Sequence, residues 1–105
     1  MVKDITGGYF EAILQIRPLD QKVYDYIMDA IENRKGVFLA KKVVKNYGVD
    51  LYITSNRFAL SLSKQLKKKF DGEVKISRAL YGTSHLTSRL LYRVTVLYRA
   101  KKQSL

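Results

Sequence analysis

The spacing of apolar residues switches repeatedly between two periods, and this switching constrains the fold more than any other feature of the chain. Ala12, Leu14 and Ile16 alternate with other residues at the two-residue period of a half-buried strand. After Asp20, which is placed to cap a helix, apolar side chains recur at helical spacing instead. Applied along the chain, this test predicts the order β-α-β-β-α-β-β, with strands over 9–17, 37–45, 49–54, 73–81 and 91–99 and helices over 21–34 and 56–70.

Each predicted element has one apolar face, and these faces define the expected core. The first strand is expected to turn Phe10 inward with its alternating partners and to leave Arg17 on the opposite face. Four residues from different elements, Leu14, Ile27, Leu62 and Val94, should all be buried between sheet and helices. The helical stripes are expected to be Val23, Tyr24, Ile27, Met28 and Ile31 in the first helix, and Phe58, Ala59, Leu62, Leu66 and Phe70 in the second.

Two amphipathic helices and five strands predict an α+β fold, a two-layer sandwich with both helices on one face of the sheet. A ferredoxin-like, mostly antiparallel sheet with one added hairpin strand satisfies the rule for right-handed crossovers. The polar segment 82–89 is expected to be a mobile loop. The whole chain, 1–105, is expected to be a single domain excised from a longer multidomain protein, with an ordered core over 8–100 and a basic tail over 101–105.

Charge divides the chain into two unlike halves. The 105 residues contain 20 Lys and Arg against 9 Asp and Glu, a formal net charge of +11. Residues 1–52 carry eight bases and seven acids, a net of +1, whereas residues 53–105 carry twelve bases and two acids, a net of +10. An excess concentrated in this way is typical of a surface that meets a polyanion, most often nucleic acid. The alternative is a lysine-rich surface that only maintains solubility.

Catalytic and metal chemistry find little support in the sequence. Cysteine is absent and the one histidine, His85, lies in a polar segment, so neither a metal site nor a nucleophile with its base is predicted. The carboxylates of Asp25, Asp29 and Glu32 share a helix face that we expect to be solvated. No glycine motif has the phosphate-loop pattern, and no apolar run approaches the roughly 18 residues of a membrane span. We therefore expect a non-enzyme with no cofactor, no metal, no small-molecule substrate and no membrane partner.

Seven basic residues are the candidates for nucleic-acid contact. Lysines at i, i+3 and i+4 on the second helix repel one another, and a bound anion would relieve that repulsion. A helix C-terminus also attracts cations, which explains the same lysines without a ligand. Arginines on the helix-free face of the sheet could hold phosphates or stack on bases, although the paired aromatic motifs of an RNA-recognition module are absent. The candidates are Arg17, Lys64, Lys67, Lys68, Arg89, Arg93 and Arg99.

Three stretches together resemble a known family. They are YFEAILQIR at 9–17, YGVDLY at 47–52 before the second helix, and LYG at 80–82 leading through a polar segment to YRVTVLYR at 92–99. In this order and spacing they resemble the middle domain of the Nmd-three family, the export adaptors of the large ribosomal subunit and their archaeal relatives. The likeness covers roughly residues 8 to 100.

The resemblance implies a non-catalytic domain of a factor for biogenesis or export of the large ribosomal subunit. Its basic surface would bind rRNA or a ribosomal protein, and its location would be cytoplasmic, with nuclear shuttling only if the parent protein is eukaryotic. Family members also carry an upstream zinc domain built from paired C-x-x-C motifs. This sequence has no cysteine, so zinc binding is not expected of it.

Three other functions remain open at the level of sequence. The domain could be a structural spacer whose positive charge is incidental, or a generic RNA-binding module unrelated to the ribosome. A ferredoxin-like layout also hosts small acylphosphatase-like enzymes, but the sequence shows no phosphate-cradling loop between Arg17 and Asp20.

Overall fold

All seven predicted elements occur, in the predicted order, in the computed structural model, which describes residues 9–83 and 90–100. Most of their ends differ from the predicted bounds by a few residues. They are β1 (Ala12–Arg17), α1 (Gln21–Asn33), β2 (Leu39–Lys45), β3 (Gly48–Ile53), α2 (Asn56–Lys69), β4 (Gly72–Thr83) and β5 (Leu90–Ala100).

The described strands form one five-stranded sheet in the order β2-β3-β1-β5-β4. β3 is antiparallel to both β1 and β2, and β4 is antiparallel to β5, but β1 and β5 run parallel. The sheet is therefore mixed, and the predicted ferredoxin-like arrangement is wrong in this respect. The reason is that β5 enters between β1 and β4 rather than adding outside β4. Since β5 must run opposite to β4, it takes the direction of β1.

Both helices begin at the predicted capping residues. The Asp20 carboxylate accepts hydrogen bonds from the backbone N–H groups of Lys22 and Val23, and the Ser55 hydroxyl accepts one from Phe58 at 3.1 Å. α2 has a second acceptor, because Glu11 Oε1 accepts from the backbone N–H of Asn56 at 2.9 Å. These bonds satisfy amides that a helix N-terminus leaves without intrahelical partners.

The core lies between the two helices and one face of the sheet, as expected for a two-layer sandwich. Leu14 and Ile27 are 0% exposed, Leu62 is 1% exposed and Val94 is 2% exposed, which confirms that prediction. The helical stripes are confirmed as well, with Tyr24, Met28 and Phe70 partly buried at the margins. Ser63 is a buried residue that the apolar pattern does not predict, and its hydroxyl donates to the Leu60 carbonyl oxygen at 2.6 Å.

Phe10 contradicts the predicted alternation of β1. The strand begins at Ala12, so the alternation does not extend back to residue 10. The Phe10 ring packs edge-on against Tyr52, with ring centroids 4.8 Å apart, on the side of β3 that faces away from the helices. We call this helix-free side of the sheet the open face. Phe10 therefore belongs to the open face, whereas the carboxylate of Glu11 reaches the start of α2.

The β4–β5 hairpin is longer than predicted. Gly82 and Thr83, expected to begin the loop 82–89, are paired in β4 with residues of β5. The rest of that predicted loop, 84–89, lies outside the described residues, and so does the predicted tail, 101–105. The alternation over residues 73–81 predicts that Val74, Ile76 and Leu80 share the apolar face of β4. In the structure Ile76 and Leu80 are 44% and 56% exposed. The helices therefore cover only part of this hairpin.

Candidate nucleic-acid interface

The outer side of α2 carries three of the predicted cations together. Lys64, Lys67 and Lys68 are all exposed, and they lie off the stripe that packs on the sheet. We call these three lysines the α2 basic face. The ion pairs that the structure shows between described residues are Arg17–Asp50 and Lys45–Asp50, so none of these lysines is neutralised by a carboxylate in the described ranges.

α1 lies beside α2 and presents the opposite charge to solvent. Asp25, Asp29 and Glu32 are exposed, as the sequence predicts. The two helices meet at Tyr26, whose hydroxyl donates to Gln65 Oε1 at 2.7 Å. The helix layer thus has an acidic part and a basic part joined by polar contacts.

The predicted arginines of the sheet lie on the open face, away from the helix layer. Arg17 is on β1, and Arg93 and Arg99 are on β5, each alternating with buried neighbours. The predicted candidates therefore divide between two sides of the molecule and do not form one patch. Arg89 lies outside the described residues.

Arg17 is held by a dense set of contacts. Its Nη2 donates to Asp50 Oδ1 at 2.5 Å, and Asp50 is only 3% exposed. Its Nη1 lies 3.1 Å from the Ile16 carbonyl oxygen and 3.3 Å from that of Val49, as donor to both. A buried carboxylate needs such partners, because removing one partner of a buried ion pair costs about 3–5 kcal/mol of stability. Arg17 is thus primarily a partner of Asp50, with a fixed orientation.

Tyr47 and Lys45 extend this cluster to the surface. The Arg17 guanidinium lies 4.8 Å from the centre of the Tyr47 ring, and Tyr47 is 58% exposed. Lys45 Nζ lies 3.3 Å from Asp50 Oδ2 and 5.8 Å from the same ring. The pKa of Lys45 is raised above its ordinary value, chiefly by the hydrogen bond to Asp50 and then by the charge of that carboxylate. Lys45 therefore remains protonated at neutral pH.

Gly48 permits this crowded turn. Its φ of +156° is unfavourable for residues with a Cβ. A Cβ at this position would also lie 2.0 Å from the Ile16 carbonyl oxygen and 2.9 Å from Arg17 Nη1. Any larger residue would displace β1 and the Arg17 guanidinium together.

A second row of cations and rings crosses the open face near the start of β1. Lys41 Nζ lies 5.5 Å from the Tyr52 ring centre, and Tyr52 packs edge-on against Phe10. The Arg93 guanidinium covers the Phe10 ring at 4.2 Å. Such contacts each contribute about 0.5–1 kcal/mol at exposed sites. The row therefore stabilises the open face and keeps it positive.

A groove of about 990 Å³ opens on the open face beside Tyr47. One wall is formed by the Arg17 and Tyr47 cluster, and the other by the ends of β5 and β4. Its lining residues are Gln15, Arg17, Pro18, Tyr47, Glu73, Leu97, Arg99 and Ala100.

Sequence reasoning did not identify Tyr47 or Asp50 as site residues. Asp50 and Arg17 are 33 positions apart, and only the antiparallel register of β1 and β3 brings them together. The one local signal is the segment Asn46-Tyr47-Gly48, whose composition predicts a turn between the two strands.

Other site types have no geometric support in the described ranges. No group of three or more His, Cys, Asp or Glu residues there is arranged to hold a metal ion. Among the same residues, no helix has both the length and the apolar character needed to cross a bilayer.

Residues 9–99 match the family described as NMD3, second domain, which is nearly the whole chain. No curated protein matches the sequence significantly. The match confirms the resemblance drawn from residues 9–17, 47–52 and 80–99, and it indicates a factor related to the ribosome. This chain therefore belongs to the NMD3 family and represents its second, middle domain.

Proposed function

We propose that this domain is a non-catalytic binding module of a factor for biogenesis or export of the large ribosomal subunit, acting in the cytoplasm. In this proposal it binds rRNA through the α2 basic face. The observation that carries the proposal is the exposure of three lysines on one helix face with no carboxylate partner in the described residues.

The spacing of these lysines favours an external anion. Each pair of like charges at i, i+3 or i+4 costs about 0.2–0.5 kcal/mol in an isolated helix. The helix macrodipole offsets part of this cost for Lys67 and Lys68, which lie in the last turn of α2. Lys64 lies before the last turn, so the macrodipole does not account for it. A bound polyanion would relieve the repulsion among all three.

The chemistry of lysine indicates which part of the RNA is bound. An ammonium group is a point charge on a flexible stem and suits a phosphate more than a base edge. Phosphate contacts release counterions, so the affinity should fall steeply with salt. We therefore expect α2 to bind structured RNA with little sequence preference.

The test compares purified large ribosomal subunits, bound by the wild-type domain and by the triple variant Lys64→Glu, Lys67→Glu and Lys68→Glu, over a range of salt concentrations. The variant should bind more weakly, and the slope of log affinity against log salt should fall by about 2, at roughly 0.7–0.9 for each lost phosphate contact. Circular dichroism should be unchanged, because these side chains lie off the buried stripe.

A matched control separates a specific surface from net charge alone. The triple variant Lys22→Glu, Lys35→Glu and Lys42→Glu changes the charge by the same amount at exposed positions away from α2. It should retain most of the binding. Equal binding by the wild type and the α2 variant at low salt would remove α2 from the interface. Equal losses in both variants would show that net charge alone drives the binding. The alternative, a spacer with incidental charge, predicts weak binding by the wild type and no response to either charge reversal.

A further inference from the structure

We propose that the groove beside Tyr47 binds an unpaired RNA nucleotide, with its base stacked on Tyr47 and its phosphate held by Arg99. The proposal rests on the proposed function only in taking RNA as the partner. It adds a second RNA contact on the opposite side of the sheet. Unlike the α2 basic face, this groove should prefer single-stranded RNA to duplex RNA.

The groove is large enough to admit a nucleotide, and its lining has the chemistry that a nucleotide requires. A volume of about 990 Å³ lies at the upper end of the range found for small-molecule sites, about 300–1,000 Å³. Leu97, Pro18 and Ala100 supply apolar lining, while the charged groups stand on the two walls. A flat base against apolar surface and a phosphate at a charged wall match this division.

Tyr47 is a suitable stacking platform because it is both exposed and fixed. More than half of its surface is open to solvent, so part of the ring is available. Its position is set by the tight turn at Gly48 and by the Arg17 guanidinium 4.8 Å from the ring centre. Arg17 is itself anchored on buried Asp50. A ring held in this way loses little conformational entropy on binding, which favours stacking.

Arg99 is the cation on the opposite wall. It is exposed, and its cross-strand neighbour on β4 is Glu73. The structure shows no ion pair between these two side chains, since the pairs between described residues both involve Asp50. The guanidinium of Arg99 is therefore available to a phosphate.

Double-stranded RNA does not fit this arrangement. Bases in an A-form helix are stacked on one another and cannot reach a tyrosine in a groove, whereas unpaired bases can be splayed out. The expected ligand is thus a single strand, a loop or a bulge. The α2 basic face, by contrast, should bind either form through phosphates.

The test measures fluorescence anisotropy of two labelled probes, a ten-nucleotide oligouridine and a 16-base-pair RNA duplex, with the whole domain. Tyr47→Ala should weaken oligouridine binding by about 5- to 150-fold, the range for loss of one stacked base. Duplex binding should stay within twofold of wild type. Tyr47→Phe should retain oligouridine binding because it keeps the ring. Arg99→Gln should lower the salt slope for oligouridine by about 0.7.

Tyr92→Ala serves as the matched control. Tyr92 is 43% exposed, and its register places it on the other face of the sheet from the groove, so oligouridine binding should not change. Melting temperatures of all variants establish that they fold. Tyr47→Ala binding both probes like wild type, or losing both equally, would overturn the proposal, and so would Tyr47-dependent capture of a ribosomal protein by a domain that binds no oligouridine. None of these outcomes bears on the α2 variant, whose effect on subunit binding tests the proposed function separately.

Discussion

The two helices perform the same structural task with opposite outer surfaces. Each begins at a side-chain cap and buries a stripe against the same face of the sheet, with Ile27 of α1 and Leu62 of α2 almost fully buried. Outside, α1 presents carboxylates and α2 presents lysines. In both helices, the residues that pack the helix against the sheet and the residues that set its outer charge occupy different positions. The outer charge can therefore serve binding without cost to the core.

The largest expected effect is on the free energy of unfolding, and it tests whether the buried sides of α1 and α2 contribute equally. Leu62→Ala and Ile27→Ala should each lower the free energy of unfolding by about 2–5 kcal/mol, because each removes buried methyl groups and leaves a cavity. Urea denaturation monitored by circular dichroism measures both values. A urea denaturation curve for Leu62→Ala that matches the wild type would contradict the packing of α2 described above.

A smaller effect should distinguish the two N-termini. Asp20→Ala should destabilise the domain by about 0.5–2 kcal/mol, since the carboxylate accepts hydrogen bonds from two amides of α1. Ser55→Ala should cost less, because Glu11 also accepts from an amide of α2. Adding Glu11→Ala to Ser55→Ala should bring the loss to that of Asp20→Ala. Asp20→Asn, which keeps an acceptor, is the control, and equal losses in the two single alanine variants would show that Glu11 contributes nothing.

The smallest expected effect is a change in stability at high pH, and it arises where both helices meet the sheet. Phe70, at the end of α2, lies edge-on to Tyr26 of α1 and to Tyr98 of β5, with ring centroids 5.6 Å and 6.5 Å away. The pKa of Tyr98 is raised above its ordinary value of 10, mainly by burial and further by the charges of Asp20 and Asp71.

This shift predicts a loss of stability in alkaline solution. Below pH 10 the phenol is neutral in both the folded and the unfolded state, so its contribution is fully present. As the pH rises above 10 towards the raised folded pKa, the unfolded state ionises first and stability is lost. Tyr98→Phe should therefore show a shallower decline in melting temperature above pH 10. The pKa of Lys45 is raised as well, so its contribution declines above 10.5 in both proteins and serves as the common background. Identical declines in the two proteins would contradict the assignment to Tyr98.

Local sequence patterns predicted correctly those features that depend on neighbours along the chain. The caps at Asp20 and Ser55 and the buried stripes of both helices follow from spacing of a few residues, and all are confirmed. The prediction that Phe10 faces the core was wrong for an equally local reason. Its apolar alternation continues that of β1, but ladder pairing as a strand begins only at Ala12.

Features that depend on pairing between distant segments could not be predicted. The parallel contact of β1 with β5 joins Ala12 to Val94, and no local pattern distinguishes it from β5 added at the edge. The Arg17–Asp50 pair likewise requires the register of β1 and β3. Sequence analysis therefore named Arg17 as a ligand-binding cation, whereas the structure shows it engaged with a buried carboxylate and supporting the exposed ring of Tyr47.

β5 comes last along the chain among the described elements and yet lies inside the sheet, between β1 and β4. During synthesis, the β2-β3-β1 part of the sheet can pair early, but β4 has no neighbour until β5 emerges. Closing the sheet then joins segments some eighty residues apart, a contact of high sequence separation that slows folding. Completion of this sheet thus waits for β5, and a chain interrupted before residue 90 would leave β4 as an unpaired, aggregation-prone edge.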